Sequence, residues 1–260
     1  MKKIRIGILG PDGRMGKDLL NQIKNFKQLE LSSLCEKKGH KLIGQKISEV
    51  IVEDNITNFL SKSDVIIDFT SPAATIKLLE IMNRLKTETP LVSGTTGYST
   101  SEEKKFQLLV KGKRVLRSFN MSIGINILKN LVKLVSRNAG SQADIEIVEI
   151  HHNQKKDIPS GTSLALAHSI NEGDNKFKNF AFREKNNDRI REKYEIGFAS
   201  IRGGDVIGEH TVYFFLDGER LELKHTASSR NIFSNGALLA AKWIHGKKPG
   251  LYSIADMIKR

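Results

Sequence analysis

A short stretch of the chain concentrates groups that move protons and hold anions. It reads His151-His152-Asn153-Gln154-Lys155-Lys156-Asp157-Ile158-Pro159-Ser160-Gly161-Thr162. Imidazole and ammonium groups can give a proton to a reacting centre. A helix opening at Ser160-Gly161-Thr162 would aim exposed backbone N–H groups at an anion. The combination describes a site that holds a small polyanion and protonates it, although Ser160 alone would serve equally well as an ordinary helix cap. A zinc site needs three or four ligands. The sole cysteine, Cys35, is remote and no His-x-x-x-His spacing occurs, so no metal is expected. His225 and Arg230 form a second polar group. A guanidinium there could grip a carboxylate with two hydrogen bonds, or simply join a surface ion pair. Arg202 and Glu209-His210 read as turn and sheet framework.

A second constellation lies at the N-terminus. Gly10, Pro11, Asp12, Gly13, Arg14, Met15 and Gly16 follow an isoleucine-rich run and open a helical pattern. Small residues between a strand and a helix let backbone N–H groups approach a pyrophosphate. Glu36 follows the next strand, where a carboxylate can accept from ribose hydroxyls. Lys37 and Lys38 come directly after it, either to accommodate the extra phosphate of NADP or as a solvated turn. Phe69-Thr70-Ser71-Pro72, Gly94-Thr95-Thr96-Gly97 and Ser118-Phe119-Asn120-Met121 each end a further strand. Ligands of open α/β sheets gather at such strand ends.

Strands are expected at 3–9, 29–35, 64–69, 90–93 and 114–118, with helices at 15–26, from 71 through Met82, and at 100–110. Their alternation predicts a doubly wound parallel sheet. After Ser122 the pattern changes. A helix near 124–135 leads to a strand at 145–150 and the histidine loop. Residues 171–195 read as a long surface loop, with room for a short edge strand. IGFASI, VIGEHTVYFFL and RLELKHTAS then read as antiparallel strands. An amphipathic helix at 235–244 closes the pattern and is expected to return to the first domain. The fold class is thus α/β, a Rossmann-like domain plus an α+β domain with a mixed or antiparallel sheet.

The chain has 260 residues, 39% of them apolar, and a formal charge of +13. The lysines are scattered rather than gathered in one tract, and no zinc-finger spacing, RRM-type aromatic motif or basic heptad region accompanies them. Nucleic acid is not an expected partner. The apolar start is interrupted at Asp12 and Arg14, too early for a secretory signal. No run approaches the roughly 20 apolar residues of a membrane span, so a cytoplasmic protein is expected. The residues alone leave open another nicotinamide dehydrogenase, a non-catalytic nucleotide sensor, or a nucleic-acid binder with steep salt dependence.

GPDGRMG, DFTSP, GTTG, EIHHNQKKDIPSGT, RGGDVIGEH and HTASSRNIFSNGAL occur in this order over nearly the whole chain. Together they resemble the 4-hydroxy-tetrahydrodipicolinate reductase (dihydrodipicolinate reductase) family. The resemblance implies NADH- or NADPH-dependent reduction of a cyclic imine carrying two carboxylates, with loss of water, in the diaminopimelate route to lysine. It implies His151 as acid/base and Lys155 as proton donor, with His152, Gly161 and Thr162 toward the substrate; Ser160 at the helix start and Arg230 as a carboxylate-gripping guanidinium are expected there from their residue types. Gly10 to Met15, Glu36, Lys37, Gly94, Thr95, Thr96, Ser118, Phe119, Asn120 and Met121 match cofactor-binding segments. Residues 1–122 and 233–260 would form the dinucleotide-binding domain, and 123–232 the substrate-binding domain, whose sheet joins a homotetramer. Lys37 stands where the family often has arginine, and Lys156 adds a charge beside the implied donor.

Overall fold

The computed structural model describes residues 2–182 and 189–259. The chain divides into two compact units, residues 1–122 with 231–260, and residues 123–230.

The first unit contains β1 (Ile4–Leu9), α1 (Arg14–Gln22), β2 (Leu29–Cys35), β3 (Lys46–Ile47), β4 (Val50–Glu53), α2 (Ile56–Ser61), β5 (Val65–Asp68), α3 (Pro72–Arg84), β6 (Leu91–Ser93), α4 (Thr100–Leu109) and β7 (Arg114–Arg117). The sheet order is β13-β7-β6-β5-β1-β2-β4-β3, where β13 (Gly250–Tyr252) comes from the C-terminal segment. Every pairing is parallel except that of β3 with β4. The central strands are buried apolar runs: Ile6, Ile8, Val65, Ile66 and Ile67 are each 0% exposed. That continuous burial is what helices on both faces of a parallel sheet produce. Local chemistry sets the helix starts. Ser71 caps α3 with Pro72 in the first turn, and Ser99 and Glu102 form a capping box at α4.

Three features of this unit were not read from the pattern. Residues 46–61 fold as the β3–β4 hairpin and α2, which are too short for periodicity to register. The helix expected at 15–26 stops at Gln22 and tightens into a 3₁₀ turn over Ile23–Asn25. The closing helix α7 (Asn231–His245) begins four residues early and packs on α1.

The second unit contains α5 (Ile123–Ala139), β8 (Asp144–His151), α6 (Gly161–Gly173), β9 (Asn179–Phe182), β10 (Glu195–Arg202), β11 (Gly208–Leu216) and β12 (Glu219–Ala227). The sheet order is β12-β11-β8-β10-β9. One face carries Ile145, Ile147, Phe198, Val212 and Phe214 and packs with Leu128, Val132, Leu166 and Ile170 of α5 and α6. IGFASI was expected to be antiparallel. Instead β10 lies parallel to β8 on one side and to β9 on the other. The helix α6 carries the chain from β8 across to the edge strand β9, and β10 pairs in parallel between the two, a direction its own residues do not encode. The expected loop over 171–195 is in part the last turn of α6 and the edge strand β9. Its segment 183–188 lies outside the described residues.

Candidate functional site

In the first unit, the Gly10–Gly16 loop joins the end of β1 to α1, whose N-cap is Gly13. Gly10 takes φ +76°, the left-handed region that glycine adopts without strain. Gly16 is buried, and a Cβ there would strike the Gly10 carbonyl and stand 2.7 Å from Pro11 Cα. This close helix-to-loop approach is what a pyrophosphate cradle requires. The Glu36 carboxylate, at the end of β2, accepts from the Asp12 N–H at 3.1 Å. Asp12 is paired with Lys17 at 2.8 Å, which with Lys41 holds its carboxyl below the usual range. A cavity of about 600 Å³ beside the loop is lined by Gly10, Glu36, Lys37, Lys38, Thr70 and Lys77, among others. It has the volume and the mixed charge to take the adenosine end of a dinucleotide.

Asp68, at the end of β5, ties the neighbouring strand-end loops together. It is 0% exposed. Its carboxylate accepts from the Thr70 N–H at 2.9 Å and from the hydroxyls of Thr70, Thr75, Ser93 and Thr95 at 2.6, 2.5, 3.3 and 3.2 Å. Burial pushes this carboxyl up, against the pull of those donors. Thr95 is therefore turned inward, with its side chain committed to Asp68, while Thr96 is exposed. Gly94 is needed because the Phe69 ring lies against it, with Phe69 Cζ 2.7 Å from where a Cβ would stand. Ser118 donates to the Asn120 carbonyl at 2.7 Å, Phe119 is exposed and Met121 is buried. Asp68 was missed in the sequence. Its only signal is an acid closing the apolar run DVIID.

In the second unit, strand register assembles the histidine cluster. His151 and Glu149 share the helix-covered face of β8. Arg202 of β10 stands opposite His151, His210 of β11 opposite Glu149, and His225 of β12 opposite His210. Glu149 is 0% exposed. It accepts from His151 Nδ1 on one side. On the other, Arg202 grips both its oxygens, at 2.9 and 2.7 Å. The His151 and His210 rings meet edge to face, with centroids 5.1 Å apart. Reading Arg202 and His210 as turn and sheet framework overlooked this convergence, because they lie 53 and 61 residues from Glu149 in the chain. Glu209 points to the other face and pairs with Lys224 at 2.7 Å.

The loop after His151 carries the remaining candidates. Lys155 Nζ lies 2.8 and 2.9 Å from the Asp157 carboxylate oxygens. Arg202 also donates to the Asp157 carbonyl at 2.8 Å, fastening this loop to the cluster. The Ser160 hydroxyl faces inward. It accepts from the Ser163 N–H at 3.1 Å as the cap of α6 and meets His210 Nε2 at 3.0 Å. Gly161 is exposed and Thr162 half-buried at the helix start. His152 is half-buried, and its Nδ1 accepts from the Gln154 N–H at 3.2 Å. Lys156 is exposed. Arg230 is exposed too, and none of the described contacts links it to the cluster.

Burial would raise the Glu149 carboxyl, but Arg202 and His151 outweigh it and hold it below the usual range. Burial lowers the His151 imidazole despite Glu149. It pushes His210 down to about 3, with His151 adding to the effect. Burial thus favours the neutral form of both rings. Among the described residues no group of three or more His, Cys, Asp or Glu could hold a metal, and no helix is long and apolar enough to cross a membrane.

Residues 4–121 match the family described as dihydrodipicolinate reductase, N-terminus, and residues 124–258 match its C-terminus counterpart. The chain belongs to the dihydrodipicolinate reductase family. It is 40% identical to the 4-hydroxy-tetrahydrodipicolinate reductase of Pelagibacter ubique, covering 99% of both chains. It is 38% identical to that of Geotalea daltonii, covering 98% of both. A solved structure, dipicolinate-bound dihydrodipicolinate reductase from Paenisporosarcina sp. TG-14, has the same fold. Its TM-score is 0.80 at 23% identity, covering 99% of this chain and 100% of that one. The chain is accordingly an oxidoreductase of the NAD(P)H-dependent kind.

Two outcomes follow from this geometry. Gly16→Ala should raise the dissociation constant for reduced nucleotide at least about tenfold, because the methyl group displaces the loop from α1; titration of nicotinamide fluorescence reads this. The second unit should lose stability as pH falls from about 6.5 toward 3. Neutral buried His210 has a folded value far below its unfolded one, and the lowered Glu149 carboxyl acts in the same direction. Thermal unfolding across that range checks it, and His210→Gln should flatten the slope.

Proposed function

We propose that the chain reduces 4-hydroxy-tetrahydrodipicolinate to tetrahydrodipicolinate with NADH or NADPH, releasing the 4-hydroxyl as water, in the diaminopimelate route to lysine. The first unit serves the dinucleotide, through Gly10–Met15, Glu36, Lys37, the Gly94–Thr96 loop and Ser118–Met121. The second unit serves the substrate. Family membership over both units carries the reaction. The observation that carries the residue roles is the clustering of His151, Lys155 and the Gly161-Thr162 helix start on one strand-loop-helix segment.

The bound nucleotide supplies a hydride to ring carbon 4. The chain supplies orientation and charge. N–H groups at the start of α6 favour a substrate carboxylate, with His152 on the same segment and the exposed Arg230 as a further cation for the anion. Lys155 gives the proton that the electron-rich ring requires after hydride arrives. In the structure its ammonium is held by Asp157, and an anionic substrate competes for that partner. His151 acts beside it as acid/base through Nε2, since Nδ1 is engaged by Glu149. Such preorganised cationic groups act on charge that develops in the transition state.

Lys37 and Lys38 line the adenosine cavity beside Glu36, so both nucleotides are accommodated: the carboxylate suits a ribose diol and the ammonium groups a 2′-phosphate. The sheet face opposite the helices presents Ile201 and Phe215, 49% and 39% exposed, with Tyr213 stacked on Phe215. This apolar face supports a homotetramer joined through the second unit. The cytoplasm is the compartment proposed.

The assay mixes the protein with enzymatically generated substrate and NADH or NADPH and follows the reduced-nicotinamide absorbance. Lys155→Ala and His151→Gln should each lower kcat at least about tenfold with nucleotide affinity nearly unchanged, and Lys156→Ala should be milder. Near-native turnover in both variants would remove the assignment, and a nucleotide preference above about a thousandfold would remove the dual-cofactor reading. Light scattering should return four chains per particle; a monomer would end the assembly proposal.

A further inference from the structure

Glu149 in the second unit is completely buried and has two partners of different kinds. Glu149 accepts from His151 Nδ1 and holds the Arg202 guanidinium in a two-pronged grip. Arg202 reaches on to the Asp157 carbonyl, and Asp157 in turn holds Lys155. A buried ion pair adds little net stability compared with an apolar pair of the same size. Its geometry, however, sets the ring of His151. With Nδ1–H directed at Glu149, Nε2 becomes the nitrogen available for proton exchange. A Cβ on Gly208 would stand 3.0 Å from that Nε2, so the strand opposite leaves it room.

We propose that Glu149 and Arg202 are positioning residues: together they fix the tautomer and orientation of His151 and anchor the Lys155 loop in register with it. This rests on the proton-transfer reading of His151 and adds two residues that touch neither substrate nor nucleotide. Arg202 keeps Glu149 ionised, and the ionised carboxylate holds the imidazole. Through the Asp157 carbonyl the same guanidinium fastens the donor loop. One rigid clamp therefore serves both proton-handling side chains.

The test is a set of variants read by turnover and by the pH profile of kcat/KM. The charged and titratable groups facing His151 are Glu149 on its own strand, Lys155 on the loop, Arg202 on β10 and His210 on β11, with His225 behind His210. Glu149→Gln should lower kcat at least about tenfold. The limb belonging to His151 should move to lower pH, because the anion that favoured the imidazolium is gone. Nucleotide affinity should not change. If Glu149 acts through His151, the Glu149→Gln, His151→Gln double variant should be no slower than His151→Gln alone. Multiplying losses would overturn the proposal, as would native turnover with an unmoved limb.

Glu149→Gln leaves the half-buried Arg202 without its counter-charge, a threat to folding, so the Glu149→Gln, Arg202→Met pair provides an uncharged alternative. Turnover in that folded pair should stay low. Its restoration to native levels would show that only stability was at stake and would overturn the proposal. Near-native His151→Gln sinks the proton-transfer reading itself. An unaffected Glu149→Gln beside a crippled His151→Gln sinks only the positioning role.

Discussion

The chemistry of the second unit is organised around a carboxylate that has no access to water. Removing an ionised group from solvent is costly unless charge and hydrogen bonds replace the lost hydration. Glu149 obtains both from Arg202 and His151. Truncating one partner of such a pair typically costs about 3–5 kcal/mol, so each of the three side chains constrains the other two. The loop that carries Lys155 is included in the constraint through the Asp157 carbonyl. Neutral His210 and the Ser160 cap close the arrangement from the helix side. His151 thus stands at the end of the central strand β8, and Lys155 on the loop that follows it. The start of α6 is fixed to the same framework through Ser160.

The first unit repeats the device with a different chemistry. Asp68 is also fully buried, but hydroxyls and one N–H surround it instead of a guanidinium. Its five donors come from the 70 loop, from α3, and from the end of β6 with the loop that follows. A carboxylate at the end of a central strand therefore sets the shape of two adjacent loops. Thr95, which the sequence offers as a hydroxyl for the nucleotide, is used for this internal purpose. Ser160 in the second unit has the same fate. In both cases a small polar residue in the motif holds the backbone, while its neighbour, Thr96 or Gly161, is exposed. The glycine loop belongs to the first unit and the histidine cluster to the second.

Much of the fold was legible because buried parallel strands are long apolar runs. DVIIDF and the isoleucine-rich first strand could hardly be anything else. The glycine loop and the histidine loop were legible because their residues are contiguous. The hairpin at 46–53 and helix α2 were not, since two to six residues carry no periodic signal. The direction of β10 was not, since a strand's side chains alternate in the same way whichever way it runs. Arg202 was seen and set aside as framework, because nothing near it in the chain shows that its partner is Glu149.

The sequence by itself determined the two-sheet plan, the glycine loop between β1 and α1, the family and the segment from His151 to Thr162. These depend on residues adjacent in the chain or on patterns repeated within one element. Only the tertiary structure decided which nitrogen of His151 is engaged and which hydroxyls are spent internally. It also decided that Glu149, Arg202, His210 and His225 meet on one face. Strand pairing brings together residues tens of positions apart, and a register different by one residue would turn each of them to the opposite face of the sheet.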